Sequence, residues 1–215
     1  MLLINKEKGM SSFDVIRFLR KKLGVKKIGH AGTLDPLAEG LLIVLVGKEE
    51  TKAAQDFQGL DKEYEAIARL GIKTDSGDLE GKELERQICK EISKKQIEKA
   101  LKELEGEHMW QVPIYSAVKV DGRPLYKYAR ENKAVKIPEK KMGIFQMELL
   151  RIENHDEYTD VHYRAKVSSG TYIRVVSEKL GELLGCPATT AHIKRTQIGD
   201  FSLSEALKLD DIVKF

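Results

Sequence analysis

Cysteine is nearly absent from this sequence, which contains only two, Cys89 and Cys186. They lie far apart along the chain, and neither belongs to a CxxC pair or to a histidine-rich ligand spacing. Small disulfide-stabilised domains and structural zinc sites need denser sets of such residues. The sequence therefore predicts neither a disulfide scaffold nor a zinc site, and it fits a reducing compartment.

Long apolar stretches are also missing. The longest aliphatic run covers residues 41–46, whereas a membrane-spanning helix needs about 20 consecutive apolar residues. No charged segment followed by an apolar stretch and a cleavage site opens the sequence, as it does in a secretory leader. We therefore expect a cytoplasmic protein without a membrane anchor, and 215 residues with 41% hydrophobic content suffice for one compact domain.

The formal net charge is only +3, but the charges are unevenly distributed. Residues 119–141 carry eight lysines and arginines against three acids, a local charge of +5, which leaves −2 for the rest of the chain. A second group of cations precedes the glycine-rich segment near His30. It consists of Arg17, Arg20, Lys21, Lys22, Lys26 and Lys27. Two such groups on a nearly neutral body are typical of proteins that bind phosphates, although lysine-rich helix faces also occur as plain solvated surface.

The hydrophobic pattern predicts a mixture of helices and strands. Ser11 or Ser12 caps one helix that Gly24 ends, and Ser93 with Gln96 forms the capping box of another. The remaining predicted elements are a helix at 173–184, strands at 41–46, 64–70, 116–120, 143–152, 161–168 and 191–198, and a polar turn at 73–81. Because strands outnumber helices and lack regular helical crossovers, we expect an α+β fold with a mixed, mostly antiparallel central sheet flanked by helices and loops.

The densest chemical signal is the segment 29–42, which reads Gly-His-Ala-Gly-Thr-Leu-Asp-Pro-Leu-Ala-Glu-Gly-Leu-Leu. Its glycines permit close backbone approach, and Pro36 biases Asp35 towards an extended conformation, so the carboxylate is held at one place in a loop. Such a carboxylate suits a nucleophile, and it equally suits a tight turn in which Asp35 bonds its own backbone. The segment matches neither a phosphate-binding P-loop nor the GxGxxG pattern of dinucleotide-binding proteins.

The segment 29–42 closely resembles the catalytic loop of the TruB family of pseudouridine synthases. Other segments resemble that family in the same order along the chain. They are 5–12, similar to its N-terminal motif; 62–64, 69–71 and 74–78, similar to its tyrosine strand and the following turn; 113–119, 125–126 and 129–130, similar to its RNA-gripping extension; 168–174, similar to its second active-site strand; and 195–196 with 199 and 201, similar to its closing strand. The resemblance implies the pseudouridine synthase fold, with residues 1–215 as one catalytic domain and residues 112–141 as its basic RNA-binding extension.

The resemblance also implies a reaction, the isomerisation of uridine to pseudouridine at position 55 in the T-loop of tRNA. This reaction breaks the bond between C1′ and N1, turns the uracil over and joins C5 to C1′, so it requires no cofactor and no metal ion. The family's aspartate corresponds to Asp35, which either attacks the nucleoside covalently or removes a ribose proton on the way to a glycal. Both routes are open at this point. A glycosidase needs a second, opposed carboxylate, and Glu39 is not an obvious one.

The target base is stacked in folded RNA, so it is flipped out before a carboxylate reaches its sugar. By resemblance, Tyr64 stacks on the extruded uracil, while Tyr172 packs in the pocket and assists proton transfer at C5. Arg174 is expected to pair with Asp35 and to favour its ionised form. From residue type alone, the two tyrosines are equally core residues, and Arg174 is equally a surface residue at the start of a helix.

The other implied residues contact RNA or support the active site. His30 is expected to fill the place that the flipped base leaves, although by itself it is an ordinary loop histidine. Lys6 and Asp78 match supporting positions. On the extension, tyrosines among cations suit contact with looped RNA. The extension residues in this set are Lys119, Arg123, Tyr126, Lys127 and Arg130.

Three positions depart from the family pattern: Glu7 replaces a usual proline, Val167 a frequent cysteine and Lys194 a frequent arginine. None of them removes a catalytic group. The short stretch after Phe201 leads us to expect no C-terminal PUA-like RNA-binding domain, and we expect a monomer without an obligate protein partner. Two other functions stay open: a tRNA-folding chaperone that flips the T-loop without chemistry, and a carboxylate hydrolase that acts on nucleosides.

Overall fold

The structure, a computed structural model, describes residues 1–89 and 92–213. The chain forms two compact units. Unit 1 comprises Met1–Glu65 and His192–Phe215, and unit 2 comprises Ala66–Ala191. Whether residues 1–215 act as a single catalytic domain stays a prediction.

Unit 1 contains short strands and helices from both ends of the sequence. They are β1 (Leu2–Lys6), α1 (Ser12–Leu23), β2 (Ile28–Ala31), β3 (Glu39–Val46), α2 (Lys48–Lys52), α3 (Ala54–Gly59), β13 (Phe201–Ser202) and a 3-10 turn (Leu203–Glu205). Two further strands cross the boundary between the units, β4 (Lys62–Leu70) and β12 (Ala188–Ile198). The apolar strand β3 lies at the centre, since it pairs antiparallel with β1 and β2 and parallel with β12.

Helix α1 has the ends that the sequence predicts. The Ser11 hydroxyl accepts a hydrogen bond from the backbone of Asp14, and Gly24 terminates the helix in the left-handed conformation with φ 72°. On its inner face, Val15, Ile16 and Leu19 are buried in a core shared with β1 and β3. The amphipathic spacing therefore decides which side of α1 faces the sheet.

Unit 2 contains the larger strands. Its elements are β5 (Ile72–Thr74), β6 (Glu83–Arg86), α4 (Lys94–Glu103), β7 (Gly106–Gln111), β8 (Lys119–Val120), β9 (Arg123–Pro124), α5 (Leu125–Arg130), β10 (Glu139–Asn154), β11 (Thr159–Val167) and α6 (Ile173–Leu183). The main sheet has the order β4-β11-β10-β7, in which β10 pairs antiparallel with both β11 and β7. The prediction of a mixed, mostly antiparallel α+β fold is confirmed.

Some predicted elements differ from the structure. A strand was expected at 116–120, but only Lys119–Val120 is extended there. Within the expected glycine-rich loop, Ile28–Ala31 forms β2 because its backbone pairs with β3. The expected turn at 73–81 begins inside β5, and the segment 168–174 is not a strand, since β11 ends at Val167 and α6 begins at Ile173.

The two cysteines are paired, contrary to the prediction that they form no disulfide framework. Cys89 and Cys186 form a disulfide in unit 2, with their Cα atoms 6.0 Å apart. Their separation of 97 residues hides this proximity in the sequence, because it arises only when the chain after β6 meets the chain after α6. None of the helices in the described residues is long and apolar enough to cross a membrane.

Candidate active site

Asp35 lies in the loop between β2 and β3 of unit 1 and is half-buried. On one side of it, the Ser12 hydroxyl accepts a hydrogen bond from the amide of Leu34 at 2.9 Å and lies 3.1 Å from its carbonyl oxygen. On the other side, the amide of Gly9 donates to the carbonyl of Pro36 at 2.8 Å. The backbone on both sides of Asp35 is therefore anchored, so the carboxylate is presented from a rigid loop.

A buried cation, Arg195, joins the two ends of this loop. Its side chain is 1% exposed. Nε donates to the carbonyl of Leu41 at 2.8 Å, and one terminal nitrogen donates to the carbonyl of Gly32 at 2.9 Å. Gly32 precedes Asp35 and Leu41 follows it, so a single guanidinium ties together the start and the end of the Asp35 loop.

The backbone of Arg195 also packs directly against the loop at Gly40. Arg195 and Gly40 are register partners in the parallel pairing of β12 with β3. A Cβ atom at position 40 would lie 2.3 Å from the Arg195 carbonyl oxygen, and the φ of Gly40 is +104°. Only glycine satisfies both conditions at this point.

Lys6, at the end of β1, is a second buried cation near Asp35. Its side chain is fully buried, and Nζ donates to the carbonyls of Glu7 at 2.9 Å and Met10 at 2.7 Å. Burial, and then the charge of Arg195, lowers the pKa of Lys6 from 10.5 to about 8, while nearby carboxylates, Asp35 first among them, oppose this shift. Lys6 therefore supports the loop from inside the fold.

The lowered pKa of Lys6 predicts a pH-dependent stability. In the unfolded chain this lysine keeps its ordinary pKa, so between about pH 8 and 10.5 the unfolded state binds the proton more tightly. The contribution of Lys6 to the free energy of unfolding should therefore rise with pH across this window, by up to about 3 kcal/mol. Urea unfolding of the wild type and Lys6→Met at both ends of the window measures it; two curves that stay parallel would contradict the prediction.

His30 is half-buried in β2, where its backbone pairs with Val44. Burial, and then the charge of Arg195, lowers its pKa, so the ring is neutral at neutral pH. Within residues 1–89 and 92–213, the buried Nδ1 of His30 has no hydrogen-bond partner. The RNA contact expected of His30 stays a prediction.

Tyr64 belongs to β4 and is 9% exposed. The strand alternates as predicted: Tyr64, Ala66, Ala68 and Leu70 are all buried on one face. Its expected stacking on uracil stays a prediction.

In unit 2, Arg174 is the second residue of α6 and only 4% exposed. Its two terminal nitrogens donate to the carbonyls of Ser76 at 2.6 Å and Tyr115 at 2.8 Å, and its Nε lies 3.9 Å from the carboxylate of Asp78. Asp78 is itself buried, and it accepts hydrogen bonds from the Ser76 hydroxyl at 2.7 Å and the Glu80 amide at 3.0 Å. Arg174 is therefore not the surface residue that a helix start alone permits.

Tyr172 precedes Arg174 at the N-terminal cap of α6 and is half-buried. It packs against a cluster of buried apolar side chains in unit 2. The members of that cluster are Val112, Leu125, Met142 and Val175. The position of Tyr172 is thus set by the same core that anchors the basic extension.

The extension at 112–141 is less uniformly basic than its sequence suggests. Arg123 is ion-paired with Glu131 and lies over the ring of Tyr128, 4.9 Å from its centre. Arg130 lies 5.4 Å from the centre of the Tyr126 ring. The exposed cations of the predicted RNA-binding set are Lys119, Lys127 and Arg130. Arg123 therefore makes contacts within the extension, while Lys119, Lys127 and Arg130 face solvent.

The structure brings some predicted residues together. Lys6 is near Asp35 in unit 1, and Asp78 is near Arg174 in unit 2. The predicted pair of Asp35 and Arg174 has one member in each unit, and the pairing stays a prediction.

Arg195 is absent from the site residues predicted from the sequence, where it belongs only to the segment that resembles the family's closing strand. The signal for it is the alternation of β12, in which Arg195 shares the buried face of Ile193.

One cluster in the described residues has side chains of the metal-binding type. Ligand atoms of Glu153, His155 and Asp160 lie within 4.8 Å of one another. Both carboxylate oxygens of Asp160, however, accept hydrogen bonds from Arg69, at 2.8 and 2.7 Å. A guanidinium thus already neutralises this carboxylate, and the cluster fits an ion-paired hairpin end better than a metal centre.

Two solved structures are similar to this chain along nearly its whole length. A chain of a Cbf5-Nop10-Gar1 complex matches with a TM-score of 0.75 and 28% identity, covering 98% of this chain and 52% of that chain. A chain of an H/ACA RNP bound to a substrate RNA containing 2′-deoxyuridine matches with a TM-score of 0.71 and 26% identity, covering 98% and 51%. The present chain thus spans about half the length of these solved chains.

Residues 20–173 match the model of the TruB family pseudouridylate synthase (N-terminal domain), so the fold is that of the pseudouridine synthases. The chain is 42% identical over 213 residues to tRNA pseudouridine synthase B of Francisella tularensis, covering 99% of this chain and 69% of the relative. It is 43% identical over 203 residues to tRNA pseudouridine synthase B of Fusobacterium nucleatum, covering 94% and 69%. The chain belongs to the TruB family.

Proposed function

We propose that this protein isomerises uridine to pseudouridine in tRNA, at position 55 of the T-loop. The observation that carries the proposal is the loop of Asp35, whose two ends are joined by the buried Arg195 in a chain of the TruB family. The relatives named tRNA pseudouridine synthase B support tRNA as the substrate. An anchored carboxylate is the group that this reaction needs.

Asp35 is the proposed catalytic residue. It attacks the ribose of the target uridine, or removes a ribose proton, so that the bond between C1′ and N1 breaks. The anchored backbone on both sides of Asp35 supports this role, because a nucleophile must be held in one orientation relative to the reacting atom. Lys6 and Arg195 keep the loop in place, and Lys6 adds positive charge near the carboxylate.

The other members of the proposed site bind or position the flipped nucleotide. Tyr64 stacks on the extruded uracil, and Tyr172 assists proton transfer at C5. Arg174 pairs with Asp35. Asp78 holds Arg174 in position and does not contact RNA itself, a role that the burial of Asp78 supports. His30 enters the space that the base leaves.

The basic extension at 112–141 grips the RNA. Its exposed cations, Lys119, Lys127 and Arg130, contact phosphates, while Tyr126 offers a ring for stacking. Because tRNA is made and used in the cytoplasm, we propose that the protein acts there, as a monomer and without an obligate protein partner. Sedimentation of the purified protein tests the monomer.

The test is tritium release from a tRNA transcript that carries uridine labelled at C5. Formation of pseudouridine replaces the hydrogen at C5, so we expect one tritium released per tRNA and a product that maps to the T-loop uridine. Release of free uracil would instead identify a nucleoside hydrolase. Tight tRNA binding with no tritium release would identify a folding chaperone, and either result would overturn the proposal.

A further inference from the structure

Helix α1 of unit 1 carries a stripe of exposed side chains that the proposed active site does not use. Phe13, Arg17, Arg20 and Lys21 are all exposed, and their spacing places them on one face of the helix. The opposite face is the one buried in the core of unit 1. We call these four residues the α1 stripe.

The α1 stripe combines an aromatic ring with cations. Phe13 is 54% exposed although it is a large apolar residue. The guanidinium groups of Arg17 and Arg20 lie 5.5 and 5.8 Å from the centre of its ring. Asp14, beside the stripe, contacts Arg17 at 3.4 Å and is the only acid in the sequence of α1. The net charge of this face is therefore positive.

The stripe begins at the catalytic loop. Ser12, the residue before Phe13, is the one whose hydroxyl bonds to Leu34 beside Asp35. From there α1 extends for 12 residues, roughly 18 Å, and the exposed Lys26 and Lys27 follow its C-terminal end. One strand of a DNA duplex carries a phosphate per roughly 3.4 Å of helix axis, so a row of cations of this length is long enough to follow several successive phosphates of a nucleic acid backbone.

We propose that the α1 stripe is a second RNA-binding surface, which contacts the backbone of the same tRNA whose uridine reaches Asp35. This inference rests on the proposed function. Its chemistry is that of single-stranded or looped RNA recognition, in which cations follow the phosphates and an exposed ring stacks on a base. An acidic membrane surface fits less well, because Phe13 is the only exposed apolar side chain of α1, whereas a membrane-binding helix presents a whole apolar face.

The test compares two matched double variants in tRNA binding at several salt concentrations. R17Q/K21Q removes two charges of the stripe and leaves Arg20, which also donates to the carbonyl of Ile28 at 3.0 Å. K95Q/K99Q removes two exposed charges from α4 in unit 2. We expect the slope of log affinity against log salt to become shallower by about 1.4 to 1.8 in R17Q/K21Q and to stay unchanged in K95Q/K99Q.

Two further measurements separate this surface from the active site. In R17Q/K21Q, KM for tRNA should rise on the order of ten-fold while kcat stays unchanged. Phe13→Ala should raise KM without changing the salt slope, since it removes stacking and no charge.

Three results would overturn the inference. They are equal salt slopes in R17Q/K21Q and the wild type, an equal change of the slope in K95Q/K99Q, and an R17Q/K21Q variant that binds acidic phospholipid vesicles more weakly while its tRNA binding is unchanged. Failure of the proposed function itself is seen separately, as absence of tritium release in the wild type.

Discussion

Replacing Asp35 by asparagine is expected to abolish pseudouridine formation, with a loss of at least about a thousand-fold in kcat. An amide is neither a competent nucleophile towards the ribose nor a base for its proton, so the covalent and the glycal routes both fail. Asparagine has nearly the same shape, and the loop anchors at Leu34 and Pro36 are backbone groups that the substitution leaves in place. Tritium release under single-turnover conditions measures the effect.

The control for Asp35→Asn is tRNA binding, which should stay within about three-fold of the wild type because the loop is intact. Asp35→Ala provides a second variant that cannot revert to aspartate by deamidation. Activity within ten-fold of the wild type in both variants would remove Asp35 from the mechanism. Loss of binding together with activity would instead show that the carboxylate maintains the loop.

Replacing Gly40 by alanine is expected to destabilise unit 1 by about 3 kcal/mol or more. The added methyl group would lie 2.3 Å from the Arg195 carbonyl oxygen and 2.8 Å from its amide nitrogen, at a φ of +104°. Strand β3 and strand β12 would have to separate at this point, which would also displace the guanidinium that joins the ends of the Asp35 loop. Denaturant unfolding measures the loss, and tritium release should fall with it.

Gly47→Ala is the matched control for the Gly40 variant. Gly47 lies just beyond the other end of β3 with a similar φ of +97°, but nothing lies within 4 Å of a Cβ atom built there. It should therefore lose only the cost of the backbone conformation at φ 97° and ψ 167°, about 1 to 3 kcal/mol, and less than the Gly40 variant. Equal losses in the two variants would mean that the contact with Arg195 does not limit position 40.

Much of the local structure could be predicted because it depends on neighbouring residues. Ser11 and Gly24 mark the ends of α1, Ser93 and Gln96 form the capping box of α4, and the alternation beginning at Tyr64 runs along β4 as expected. The loop of Asp35 belongs to this group, since glycine, proline and aspartate impose its conformation from within a short segment. By contrast, the length of β8 could not be predicted, because pairing partners rather than propensity end a strand.

In the candidate site, too, local features were predictable from the sequence and long-range contacts were not. The sequence by itself determined the α+β class, the family resemblance and the position of Asp35, because periodicity, caps and motifs are local patterns. Only the tertiary structure decided that Lys6 and Arg195 are buried beside that loop and that Cys89 meets Cys186. Arg195 bonds to Leu41 and Gly32 across 154 and 163 residues of sequence. Contacts at such separations arise from the packing of whole strands, so no short-range pattern reports them.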